Sequence, residues 1–276
     1  MNLGAILGLA AALYAGLAAL MFLFQDRLLF LPDLPSRTVA QTPAAAGMKF
    51  EAVTLRTDDG ETLAGWWIPA PDARRTLIHF HGNAGNIGDR VELLRVFNAL
   101  PLNVLMFDYR GYGDSTGTPS EEGTYRDARS VWRYLTGQRG LKPTDIVLHG
   151  QSLGSAVAAE LAEAVRPGAL ILESTFTSVP DLAAELYPWL PVRWLAHIRY
   201  DTRTRLSAIR CPVLIIHSRD DEIIPYAHGE RLHAAAAQPK RLLTIRGDHN
   251  NGVYANAGDY LYGLREFLNS VNSASD

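Results

Sequence analysis

Cysteine is nearly missing from this chain. Cys211 stands alone among 276 residues, so no intrachain disulfide can staple the fold, and a reducing compartment suits it. It precedes Pro212 and an apolar run, the setting of a buried, inert thiol. Excess charge is missing too: 26 basic and 29 acidic side chains leave a net −3. Without a basic stripe the usual electrostatic route to nucleic acid is excluded, and no nucleic-acid partner is expected. There is no internal repeat and no low-complexity tract, which excludes a solenoid or a long polar tail. What remains is an ordinary globular balance, 47% apolar and 20% charged, with length for one large α/β domain.

One further absence is local. From Leu3 to Phe24 there is no charged residue. The run is long enough for a membrane-spanning helix. A cleaved signal peptide fits less well: no Lys or Arg precedes the run, it exceeds the usual apolar region, and Tyr14-Ala15-Gly16 falls mid-run rather than at a cleavage site. A buried core helix is the third reading. The expected organisation is a membrane anchor over residues 1–24, a juxtamembrane connector over 25–48 carrying Pro32, Pro35 and Pro43, and a folded domain over 49–276. Arg27 and Arg37 flank the run on its C-terminal side, and the positive-inside tendency then favours the domain on the cytoplasmic side.

The rest alternates. Phe50–Arg56 and Glu61–Ile68 flank Asp58-Asp59-Gly60 and read as a hairpin. Short runs apolar on both sides come next, at Thr76–Phe80, Asn103–Phe107, Ile146–Leu148, Ala169–Leu172, Val213–Ile216 and Leu242–Ile245, the signature of buried parallel strands. Helical patterns separate them at Asn86–Leu100, Ser120–Gln138, Ser152–Val165, Tyr226–Ala237 and Tyr254–Asn269. Thr118-Pro119-Ser120-Glu121 reads as a capping box with proline at the first helical position. The expected fold class is α/β: an eight-stranded, mainly parallel sheet flanked by helices. Ligands in such sheets bind beyond the carboxyl ends of the strands.

The pattern G-x-S-x-G occurs twice, at Gly113–Gly117 and Gly150–Gly154, so context must choose between them. The chemistry needs a sharp strand-to-helix turn that exposes the hydroxyl above a helix N-terminus. Ile146–His149 is a strand, Leu153 onward is helical, and Gly154, Ser155 and Ala156 are small enough to start that helix close to the sheet. Ser152 fits as nucleophile. Ser115 does not, because Tyr109–Gly113 intervenes after its strand and its helix begins later.

A serine hydroxyl needs a base, and the base an orienting carboxylate, in the order Ser, Asp or Glu, His. Of eight histidines, only His249 lies beyond the last strand. Asp220 and Asp221 both come after the penultimate strand, and periodicity cannot choose between them. Glu173 is a remote alternative, and Asp248 is too close to His249 to orient it. The oxyanion needs two backbone amides: Leu153, after the nucleophile, and Asn83 in the loop His81-Gly82-Asn83-Ala84-Gly85-Asn86. That loop also reads as a plain helix start capped by Asn83 or Asn86. His79 and His81 share a strand face, but no third residue has metal-ligand spacing, so no metal is expected.

These blocks resemble the α/β-hydrolase superfamily: His81–Asn86, Asp108-Tyr109-Arg110-Gly111-Tyr112-Gly113-Asp114-Ser115, Gly150–Gly154, and His217 to Pro225 with Gly247-Asp248-His249 after it. The branch they resemble is the membrane-anchored, serine aminopeptidase-like group of alpha/beta hydrolase-domain proteins, over about Phe50 to Leu268. The resemblance implies that the acid is Asp221, four residues before Pro225, with Ser218 departing from the family's usual glycine. It also implies that Asp108–Ser115 is a supporting loop under the site.

The expectation is a cofactor-free serine hydrolase cleaving ester or thioester bonds of a small-molecule or lipid-like acyl substrate. An amide-cleaving aminopeptidase and a catalytically silent, membrane-tethered binding protein are the alternatives. Thr175–Arg210 should form a small cap. Its Tyr187, Trp189, Leu190 and Trp194 suggest an apolar acyl pocket, although aromatic residues more often pack a core.

Overall fold

Strands form here where short runs are apolar on both faces or, as in the N-terminal hairpin, bury alternate residues. The computed structural model describes residues 2–273. A hairpin, β1 (Glu51–Arg56) and β2 (Thr62–Ile68), is followed by β3 (Arg75–Phe80), β4 (Leu102–Phe107), β5 (Ile146–Gln151), β6 (Ala169–Glu173), β7 (Val213–Ser218) and β8 (Lys240–Ile245). They make one eight-stranded sheet in the order β1-β2-β4-β3-β5-β6-β7-β8. The contacts of β2 are antiparallel and those from β3 to β8 parallel.

The helices are α1 (Leu3–Leu23), α2 (Gln25–Leu29), α3 (Val91–Asn98), α4 (Glu121–Arg133), α5 (Leu153–Val165), α6 (Val179–Leu186), α7 (Val192–Leu195), α8 (Thr202–Leu206), α9 (Ala227–Ala235), α10 (Gly252–Ala255) and α11 (Ala257–Ser273). The strand period of two sorts the core into two layers. Ile146, Leu148, Leu170, Leu172 and Ile215 pack with residues of α4 and α5. Val147, Ala169, Ile171, Leu214 and Ile216 pack with α3 and α11. The central strands are therefore covered on both faces, as parallel strands require.

Several boundaries depart from the expectations. Ser120, not Thr118, caps α4, accepting from the Gly123 amide at 3.1 Å. Glu121 is the first helical residue, and its carboxylate accepts from the amides of Arg199 and Tyr200, both at 2.7 Å, and from the Tyr125 hydroxyl. A long-range partner thus takes the group that a capping box would have used. Residues 25–48 contain α2 and a 3₁₀ turn at Pro43–Ala46. Phe30 sits in the core at 3% exposure, and Leu31 bridges to Ala84. Asn86 donates to the carbonyls of Ser36, Arg37 and Thr38. Burial pushes the half-buried Cys211 thiol up to about 12.

The apolar helix α1 buries none of its residues, and its 21-residue length and composition are those of a membrane span or a signal sequence. Its Tyr14 hydroxyl donates to the Trp189 carbonyl at 2.8 Å. Gln25, at the start of α2, donates to the Leu195 carbonyl and accepts from the His197 amide.

Candidate active site

Ser152 occupies the turn where β5 becomes α5, with φ 53° and ψ −120°. A side chain in that region is strained and persists only where its surroundings hold it. Here they do. Its amide donates to the Glu173 carbonyl at 2.9 Å, and its carbonyl accepts from the Thr175 hydroxyl at 3.0 Å. The flanking glycines are obligatory for space. A Cβ at Gly154 would lie 2.1 Å from the Phe80 carbonyl oxygen, and one at Gly150 would lie 2.4 Å from the Ser155 Cα. Helix α5 therefore starts hard against the sheet, and the serine is lifted above it.

Loops after the last two strands deliver the partners. His249 Nε2 lies 3.2 Å from Ser152 Oγ, and His249 Nδ1 lies 2.8 Å from Asp221 Oδ2. The ionised Asp221 only accepts, so the histidine proton sits on Nδ1 and the Nε2 lone pair faces the serine. Asp221 Oδ1 accepts from the amides of Ile223 (3.0 Å) and Ile224 (2.7 Å). Burial pushes the Asp221 carboxyl up. The hydrogen bond and charge of His249, with the Ile224 amide, more than offset this and leave it below the usual carboxylate value. The other carboxylates go elsewhere. Asp220 pairs with Arg246 at 3.1 Å, Asp248 accepts from the Asn250 and Asn251 amides, and Glu173 accepts from the Tyr260 hydroxyl at 2.6 Å.

Three helpers carried no sequence signal of their role. Ser218 donates to the Gly247 carbonyl, tying the end of β7 to the turn that carries His249. A glycine in its place could not make this bond. Glu222 accepts from the His249 amide at 3.0 Å. Buried His217 donates Nε2–H to the Ile224 carbonyl at 2.9 Å, backing the turn that holds Asp221. Burial lowers the His217 pKa, so the ring stays neutral.

The loop after β3 lies against the serine: a Cβ at Gly82 would sit 3.5 Å from Ser152 Cβ. Asn83 is held through its other groups. Its carbonyl accepts from the Leu31 amide (2.9 Å) and the Tyr112 hydroxyl (2.8 Å), and its carboxamide donates to the Leu29 carbonyl (2.9 Å). Tyr109 donates to the His81 carbonyl at 3.1 Å. Leu153 opens α5, so its amide is one that a helix leaves unpaired. Asn86 caps the turn leading to α3, accepting from the Gly88 amide. Gly82, Asn83, Ser152, Leu153 and His249 line one cleft of about 460 Å³.

The second G-x-S-x-G is a different object. Ser115 is 1% exposed, donates to the Asp108 carbonyl at 2.8 Å and accepts from the Ala64 amide at 3.0 Å. His79 and His81 go separate ways. His79 Nδ1 is 3.0 Å from His149 Nδ1, whereas His81 is 3.4 Å from Asp108. Among the described residues no group of three or more His, Cys, Asp or Glu is arranged to hold a metal ion.

The cap is built from α6, α7 and α8. Tyr187, Trp189 and Trp194 are 40%, 51% and 89% exposed. Tyr187 and Leu190 line the cavity between the cap and the N-terminal segment, together with Phe22, Phe176 and aliphatic residues such as Leu182 and Leu186.

A family model described as serine aminopeptidase, S33, matches residues 71–201. Over 266 residues the chain is 37% identical to the protein MT2364 of Mycobacterium tuberculosis, covering 95% of this chain and 94% of that one. WAV2 of Arabidopsis thaliana, an alpha/beta hydrolase domain-containing protein, is 36% identical over 250 residues, 83% of this chain and 81% of its own. In three dimensions the esterase Pf2001 of Pyrococcus furiosus superposes with a TM-score of 0.70 at 20% identity, over 83% of this chain and 95% of its own, a likeness of fold.

Proposed function

The chain belongs to the α/β-hydrolase superfamily and is a hydrolase, and from that premise we propose that it cleaves carboxylic ester or thioester bonds through an acyl-enzyme on Ser152. The observation that carries the reading is the line Ser152 Oγ, His249, Asp221, at 3.2 and 2.8 Å, on a serine held at positive φ.

His249 Nε2 takes the Ser152 proton as Oγ attacks the acyl carbon. Asp221 accepts from Nδ1 throughout and stabilises the imidazolium. The oxyanion is received by the amides of Asn83 and Leu153. The imidazolium proton passes to the departing alcohol or thiol as its bond to the acyl carbon breaks. Water then attacks the acyl-enzyme with His249 as base, releasing the acid and restoring the Ser152 hydroxyl. Every proton moved is held by His249, so this sequence needs no cofactor.

The substrate is a small-molecule or lipid-like acyl compound. The protein is a single-pass membrane protein held by α1, and Arg27 and Arg37 favour the domain on the cytoplasmic side. A fluorophosphonate probe tests the central claim: it should label the wild type and not Ser152→Ala, and equal labelling of both ends the assignment. A panel of p-nitrophenyl esters beside aminoacyl anilides separates esterase from aminopeptidase. A protein that takes neither probe nor substrate would be the silent binding module.

A further inference from the structure

A second cavity of about 310 Å³ adjoins the reactive cleft, and the two share Leu29, Phe176 and Leu182 as walls. Its chemistry is one-sided. Gln25 and Tyr187 bring the only polar side-chain atoms among its lining residues. The Gln25 carboxamide is already committed: it donates to the Phe22 and Leu195 carbonyls and accepts from the His197 amide. That leaves the Tyr187 hydroxyl as the other polar side-chain group, and no charged side chain lines the chamber, so an occupant that gains by entering is predominantly apolar.

The position of the chamber is as informative as its composition. One wall is the cap, including Leu182 and Ala183 of α6. The opposite wall is the N-terminal segment: Met21 and Phe22 at the end of α1, and Leu28 and Leu29 of α2. Helix α1 exposes an apolar surface along its whole length. The cap reaches halfway up it, through Tyr14 and the Trp189 carbonyl. Trp194, 89% exposed, belongs to α7, whose Val192 and Leu195 line the chamber, and exposed tryptophans are frequent at membrane surfaces. The chamber thus stands where the bilayer would meet the domain, and it shares the walls Leu29, Phe176 and Leu182 with the cleft that Ser152 lines.

Resting on the reading of Ser152 as nucleophile, we infer that this chamber holds the acyl chain of a membrane lipid ester, and that the N-terminal segment is a wall of the substrate site as well as an anchor. The chain enters from the bilayer between α1 and α6, passes Leu29 and Leu182, and presents its carbonyl to Ser152 Oγ. The lipid's headgroup end then faces the open cleft.

The test uses the full chain in phosphatidylcholine vesicles. Dodecyl and ethyl fluorophosphonates report directly, since each forms an Oγ–P bond at Ser152, expels fluoride and gives the serine proton to His249. The dodecyl reagent should label at least tenfold faster than the ethyl one. Ala183→Trp, which fills the chamber, should erase that ratio, and kcat/KM for dodecanoyl relative to acetyl esters should fall by the same factor. Leu186→Ala, a milder change, should move the preferred chain length upward. A dodecanoyl ester should turn over faster in the vesicle than when carried in solution by cyclodextrin; the reverse would overturn entry from the bilayer. A Ser152 that takes both reagents at equal rates, or an unchanged ratio in Ala183→Trp, overturns the chamber while sparing the reading of Ser152. A Ser152 that takes neither overturns both.

Discussion

Gly113–Gly117 and Gly150–Gly154 spell the same five-residue pattern, and the fold treats them oppositely. In the second, Ser152 is pushed to positive φ above a helix start and left facing a cleft with an imidazole 3.2 Å away. In the first, Ser115 is buried and spends its hydroxyl on two backbone groups, joining the loop after β4 to β2. A buried hydroxyl that gives its proton to a backbone carbonyl and accepts from an amide has no base beside it to take that proton. A hydroxyl held in a strained turn beside an imidazole has one. The difference lies in the backbone just after the serine, a helix at once or another turn, and not in the pentapeptide.

Exchanging each serine for alanine is the sharpest way to break that comparison. Ser152→Ala should lower kcat/KM for p-nitrophenyl acetate by about 10⁶-fold, the scale of losing a serine nucleophile, with little change in melting temperature. Ser115→Ala should do the reverse. Turnover should persist, while stability falls by about 1–3 kcal/mol because the Ala64 amide and Asp108 carbonyl lose a buried partner. Urea unfolding and ester kinetics on the two variants decide it; matched losses in both properties would show that the two sites are not separable.

The next contrast is between neighbours. Asp221→Asn leaves the shape of the loop but replaces an acceptor with a group that can donate to His249, which favours the wrong ring tautomer. The expected loss in kcat is about 10⁴-fold. Asp220→Asn weakens an exposed pair with Arg246 but keeps an oxygen for the Gly247 amide, from which Asp220 accepts at 3.3 Å, and its kcat should stay within about threefold of wild type, in line with the small worth of surface pairs. Parallel kinetics would check this, and a larger loss at Asp220 would reverse the assignment.

That pair also marks how far the sequence could be read. The parallel strands β3 to β8 were legible as short continuous apolar runs, and the β1–β2 hairpin as two strand patterns around Asp58-Asp59-Gly60. Their ends were not, since β5 and β7 continue through polar residues, His149–Gln151 and His217–Ser218, whose ladder bonds carry no hydrophobic signal. Ser152, His249 and the choice of loops came from strand order. Asp221 over Asp220 did not, because adjacent loop residues have no period, and the deciding amides, Ile223 and Ile224, are backbone groups. Ser218, Glu222 and Tyr112 act through single long-range bonds, which no local pattern announces. The exposed Trp189 and Trp194 look like core residues by composition alone.

The smallest effect separates the two regions by pH. Both contain a carboxyl held low: Asp221 by the net influence of His249, and Asp59, under the supporting loop, by its hydrogen bonds to Arg110, then to Thr57. Arg110 in turn bridges to buried Asp127, so Asp59 fastens the β1–β2 turn to α4. A carboxyl whose folded pKa lies below its unfolded value, about 3.9, stabilises the fold above that pH. The contribution is lost as pH falls through the folded value. Asp59→Asn should therefore cost about 1 kcal/mol or less at neutral pH, as a partly exposed pair does, and the deficit against wild type should shrink as pH drops below about 4. Ester turnover, measured where both proteins are folded, should not distinguish them. Thermal melts of both proteins from pH 7 to pH 3 supply the check. A deficit that stays constant to pH 3 would mean that Asp59 acts through packing rather than charge, and a fall in turnover at neutral pH would mean that the supporting loop and the reactive cleft share one electrostatic unit.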